Sequence, residues 1–159
     1  MSFYEKLGEE TVMERAYLLS APIIVNGLRG EVTKASYLAF LGQAYHHVRH
    51  TTPLLMALGG RLPERLAWLR RPVAEYIEEE IGHEEWILND IAAVGGDVDA
   101  VRHSGPDLPA EVMVAYAYDL VYRGNPAAFL GMVFVLEGTS VALALNIADR
   151  LQQALLLPD

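Results

Sequence analysis

Cysteine is missing from all 159 residues, which excludes disulfides, thiolate metal sites and cysteine nucleophiles together. Positive charge is scarce: 12 lysines and arginines face 21 aspartates and glutamates, for a net charge of −9 and a pI near 4.9. A surface of that sign repels phosphate backbones and anionic lipid, so neither a nucleic acid nor a membrane is expected as a partner. No run alternates convincingly between apolar and polar residues, and there is no internal repeat, low-complexity tract or interdomain linker. The N-terminus, Met1 to Glu10, is charged and amphipathic rather than a signal peptide, and the expected location is the cytoplasm.

Apolar side chains are what the chain has in excess. They make up 52% of it, and the mean hydropathy of +0.19 is high for a domain of average composition. The length suits one domain, residues 1–159, with a sizeable core. Either that core is unusually large or apolar faces await a cover, and a homo-oligomer is expected.

Helical periodicity runs through nearly every segment. A first helix is expected from Phe3 to Leu19, ended by Ser20-Ala21-Pro22, and a short one through Ile23 to Leu28 that stops at Gly30. The next spans Thr33 to Leu58, closed by Gly59-Gly60, with Pro53 kinking it or ending it near Thr52. Another opens at Leu62-Pro63-Glu64, bends at Pro72, continues to Val94 and stops at Gly95-Gly96. Asp97 to Leu108 reads as an irregular connection, Pro109 to Arg123 as a helix, and a last apolar helix follows Gly124-Asn125-Pro126 to about Leu156. The fold class is all-α.

Glu137 lies inside the otherwise almost uncharged run from Phe129 to Leu145. A helix apolar on all sides belongs at the centre of a domain, and this one is read as a buried core helix rather than a membrane span. A lone carboxylate there must be protonated, hydrogen-bonded (Thr139, Ser140 or a tyrosine would serve) or bound to a cation. Glu80 and His83 stand three apart, a spacing that puts two helical side chains on one face with Cβ atoms about 5–6 Å apart. On the helical wheel Glu80 and Glu84 turn toward Ile77, Leu88 and Ile91, whereas Glu79 and Glu85 turn away. Glu-x-x-His is the spacing of carboxylate-bridged di-iron bundles, although solvated glutamates beside an incidental histidine would read the same way. Glu80, His83 and Glu137 are therefore the candidate metal ligands. Oxygen and imidazole donors without sulfur suit iron or manganese, with zinc possible through the imidazole, and spacing does not choose among them.

A third cluster is Gln43, His46, His47 and His50, in which Gln43, His47 and His50 share one helical side with Phe40 and Leu54. These groups could line a substrate pocket, form a second metal site, or cap the rim of a bundle. Glu84, Tyr118 and Tyr122 are added as pocket candidates. An apolar bundle would favour an aliphatic or aromatic small molecule, with the His47/His50 side holding a polar end. The sequence identifies no catalytic residue.

Taken together, the segments Gln43 to Leu55, Glu78 to Asp90 and Val135 to Ser140 resemble the iron-containing redox members of the heme-oxygenase-like superfamily, relatives of TenA and PqqC. The resemblance implies a helical bundle with a labile di-iron site that activates O2 to oxidise a small organic substrate, and it puts iron first, with manganese or zinc as lesser options. By position, Glu80 and His83 would be ligands from one helix and Glu137 a bridging ligand from another. The family also carries a later helix with a His-x-x-x-Asp-x-x-His motif, and the chain stops at Asp159 before it. A C-terminally truncated form of the fold is thus expected, either a fragment or a short variant that has lost the site. No heme is expected, since the first histidine is His46 and a heme oxygenase needs one near its N-terminus. A cofactor-independent enzyme of the PqqC/TenA kind, or a degenerate bundle that dimerises or binds a ligand, are the alternatives.

Overall fold

Ser2 starts the first helix with a reciprocal cap. Its hydroxyl accepts from the Glu5 amide at 3.2 Å, and its own amide donates to the Glu5 carboxylate at 2.6 Å. The computed structural model describes residues 1–155, without the side chains at 142 and 144–146, and among these residues every regular element is helical. The end expected for the last helix, Leu156, lies outside the described residues. The chain divides into two units, residues 1–37 with 130–159, and residues 38–129.

In the first unit lie α1 (Phe3–Glu10), α2 (Val12–Leu19), α3 (Pro22–Arg29) and most of α10 (Phe129–Leu155). The single helix expected from Phe3 to Leu19 is broken at Thr11, whose hydroxyl donates back to the Leu7 carbonyl at 2.8 Å and bends the chain. Gly30 ends α3 as expected, at φ 69°. The edge of the Tyr4 ring meets the Phe134 ring at 5.5 Å, and the Arg15 guanidinium stands 6.0 Å from the same ring. Gly27 lets α3 approach α10 closely, since a Cβ there would touch Ile147 at 3.4 Å. The expectation of a fully buried apolar helix is corrected: residues 131–137 of α10 are only half-buried and Val141 is 77% exposed. An all-apolar helix needs neighbours all round. The neighbours described in its own unit reach it at Phe134 and Ile147 and do not cover Val141.

The second unit is organised around α5 (Thr51–Arg61). Its Leu54, Leu55 and Leu58 are almost wholly buried, each worth about 1.5–3 kcal/mol of hydrophobic stabilisation. They pack α5 against α6 (Arg70–Glu80), α9 (Leu108–Arg123) and a 3-10 turn at Pro126–Ala128. Val73, Val121 and Phe129 complete this core. α5 runs through Gly59-Gly60 instead of ending there. Gly59 faces Val73, which a Cβ would meet in ordinary contact at 3.4 Å, and Arg61 donates to the Val121 and Tyr122 carbonyls at 2.9 and 2.6 Å. Pro53 does not end a helix either. The break falls earlier, between α4 (Lys34–Val48) and Thr51, and Pro53 sits in the first turn of α5, where its missing N–H costs nothing.

The long helix expected from Leu62 to Val94 is three elements. A 3-10 segment (Glu64–Leu69) leads into α6, with Pro72 in its first turn, and α7 (His83–Ala93) follows after Ile81-Gly82. The stretch expected to be irregular contains α8 (Val98–His103), capped by the Asp97 carboxylate on the Ala100 amide at 2.9 Å. α8 is fastened to α7 by Arg102, which donates to both carboxylate oxygens of Glu85 at 3.0 and 2.6 Å.

Candidate functional site

Glu80 is the last residue of α6 and His83 the first of α7. Between them Gly82 takes φ 93°, a backbone angle that side-chain-bearing residues rarely adopt, so the expected single helical face does not exist. The two side chains meet all the same: Glu80 Oε2 is 3.1 Å from His83 Nδ1, with the carboxylate 8% exposed as a residue and the imidazole half-buried. The break, not a helical turn, brings them together. Trp86 stacks on the His83 ring, with centroids 4.1 Å apart, and the Thr52 hydroxyl on α5 donates to the Glu80 carbonyl at 3.4 Å. Both were missed in the sequence, although Trp86 stands one turn beyond His83. Glu84 is half-buried in the first turn of α7, where the helix dipole favours its charge.

Glu137 lies in the other unit, half-buried in mid-α10. Thr139 donates its hydroxyl proton to the Val135 carbonyl at 2.6 Å, and Ser140 donates to the Glu137 carbonyl at 3.1 Å. These protons go to the main chain, so neither hydroxyl donates to the Glu137 carboxylate.

His46 and His50 bond to different partners. Gln43 Oε1 accepts from the Asp107 amide at 2.8 Å, and His46 Nε2 is 2.9 Å from Ser104 Oγ. Since the Ser104 hydroxyl donates to the Val101 carbonyl, its oxygen accepts from His46, which places the His46 proton on Nε2. Gln43 and His46 thus pin α4 to the connection between α8 and α9. Gln43 and His47 stay four residues apart on α4, while His50 lies just beyond its end at Val48, close enough to His47 to act on its titration. His50 instead meets Tyr118, Nδ1 to Oη at 3.2 Å with the rings edge to face, and Tyr118 stacks on Tyr122 at 6.3 Å. Of the pocket candidates, His50, Tyr118 and Tyr122 are the three that the structure gathers.

Burial lowers the pKa of all three imidazoles, helped by Arg49 beside His46 and His50 and by His50 beside His47. The unfolded chain therefore takes up these protons first as pH falls. Their contribution to stability is complete above about pH 6.5 and is lost as pH drops through the lowered folded values, by at most about 1.4 kcal/mol per pH unit for each imidazole. Urea midpoints measured between pH 7.5 and 5 are expected to fall with pH, and His46→Gln, which keeps a donor for Ser104, should flatten the slope. An unchanged slope in that variant would remove His46 from the titration.

Glu80 and His83 offer an oxygen and a nitrogen donor with no sulfur, a set that suits iron. Two ligands on adjacent corners of a metal shell, each about 2.1 Å from the ion, lie about 3 Å apart. The observed 3.1 Å fits that spacing. Among the described residues no three His, Asp or Glu side chains are gathered closely enough to hold a metal ion. Among the described residues, too, no helix is long and apolar enough to cross a membrane.

Residues 38–159 match the family model described as iron-containing redox enzyme. A crystal structure from Shewanella denitrificans OS217, described as a domain of unknown function with a heme oxygenase-like fold, is 27% identical. It superimposes with a TM-score of 0.82 over 99% of this chain and 68% of its own. No curated protein matches the chain.

Proposed function

We propose a function from one premise: the chain belongs to the iron-containing redox enzyme family and has a heme oxygenase-like fold. The reading is a non-heme iron oxidase or oxygenase, di-iron in its full form, that uses O2 to oxidise a small organic molecule. The observation that carries it is the buried Glu80 carboxylate held 3.1 Å from the His83 imidazole across the Gly82 break. Glu80 and His83 would hold the ion. Iron held there would supply the electrons for O2 reduction, chemistry that side chains alone do not provide.

The protein's part is positioning. Trp86 limits rotation of the His83 ring, and Thr52 fixes the end of α6 from which the Glu80 carboxylate projects. Burial keeps water from competing for that carboxylate and strengthens its attraction for a cation. The rest of the reading is a cytoplasmic homo-oligomer without nucleic-acid or membrane partners.

Anaerobic ferrous titration followed by metal analysis tests it. Wild type is expected to retain near-stoichiometric iron and His83→Ala to lose it, with Glu137→Ala measuring separately what the α10 carboxylate adds. Wild type and His83→Ala with the same negligible iron would end the iron reading for this chain.

A further inference from the structure

We propose that Tyr118 and His50 form a redox-active pair, in which Tyr118 gives up one electron while its phenolic proton moves to Nδ1 of His50. The geometry is set by two helices of one unit: His50 immediately precedes α5 and Tyr118 lies on α9, with Oη and Nδ1 3.2 Å apart and the ring planes at 87°. A phenol that keeps its proton is hard to oxidise, because its radical cation is a strong acid. A base already in hydrogen-bond contact removes that obstacle. Burial, Arg49 and His46 lower the imidazole's pKa and keep the ring neutral, and in its Nε2–H tautomer Nδ1 accepts from the Tyr118 hydroxyl at 3.2 Å. Burial and the neighbouring Tyr122 raise the pKa of Tyr118, which keeps its proton.

The second ring sharpens the assignment. Tyr122 stacks on Tyr118 at 6.3 Å, but the Arg61 guanidinium stands 5.2 Å from the Tyr122 centroid. A cation over a ring opposes removal of an electron from it. The unpaired electron therefore rests on Tyr118. The step balances: phenol, neutral imidazole and an outer-sphere one-electron oxidant give a neutral tyrosyl radical, an imidazolium and the oxidant reduced by one electron. No metal at Glu80 is required, so this pair and the iron reading stand or fall separately.

The test oxidises the full chain in D2O with a photogenerated ruthenium(III) polypyridyl complex and examines the frozen sample by EPR and ENDOR. The chain has eight tyrosines, so the informative component is a tyrosyl radical coupled to an exchangeable deuteron and an imidazole nitrogen. It is expected in wild type and lost in Tyr118→Phe, while His50→Gln loses the nitrogen coupling. A wild-type radical without that deuteron, or a component that persists in Tyr118→Phe, overturns the proposal. The wild-type spectrum decides on its own if a variant fails to fold.

Discussion

Glu80→Gln is expected to leave folding within about 1 kcal/mol of wild type while weakening ferrous-iron binding more than ~100-fold, beyond the roughly 10–100-fold typical of groups that only support a ligand. The amide is nearly the same size as the carboxylate, and its oxygen still accepts from His83 Nδ1–H, the contact measured at 3.1 Å. It carries no charge, so little draws a cation into the buried position. A purely structural Glu80 would give the opposite pattern, a fold weakened by loss of the charge-assisted bond and no change in metal content. Urea unfolding and anaerobic iron titration on the same two proteins separate the cases, and a variant that keeps iron at wild-type affinity rules Glu80 out as a ligand.

Periodicity alone was enough for the all-α class and for the helix stops at Gly30 and Gly95-Gly96, because capping glycines act within one turn of chain. It was not enough for the internal breaks. Thr11 bends the first helix through a side-chain bond that a polar threonine in an amphipathic helix does not announce. Gly59-Gly60 reads as a stop, yet the helix continues to Arg61, whose guanidinium is anchored on α9 carbonyls. The Thr11 break is local to its own helix, whereas the run through Gly59-Gly60 is anchored on a tertiary neighbour. α8 was missed because its short run offers too little periodicity, although the Asp97 cap was a local sign of it.

The site was legible in the same uneven way. Glu-x-x-His was a sound pointer to two side chains that meet, but the meeting comes from a turn at Gly82, not from a helical face. A helical wheel carried past Val48 does not show the partners these groups find: Gln43 and His46 bond to the 104–107 connection, and His50, beyond the helix end, bonds to Tyr118. The pattern around Glu137 was read as deep burial from composition alone. Composition describes what a helix could bury, and the neighbours decide what it does bury.

Leu58→Ala is expected to cost about 2–5 kcal/mol, the range for emptying a leucine-sized space in a packed interior. Leu58 is 0% exposed on the helix that α6, α9 and the 126–128 turn all touch, so several elements would have to shift to refill the cavity. Met56, two residues earlier on α5, is 54% exposed, and Met56→Ala should stay within about 0.5 kcal/mol. The pair bears on the site as well as the core, because α5 also carries Thr52, whose hydroxyl steadies the Glu80 carbonyl. If α5 is the element that sets the end of α6, Leu58→Ala should lower the urea midpoint at unchanged slope and weaken iron retention, while Met56→Ala alters neither. Equal losses at both positions would mean that α5 is not buried on the side its leucines define, and the placement of Glu80 would then need another support.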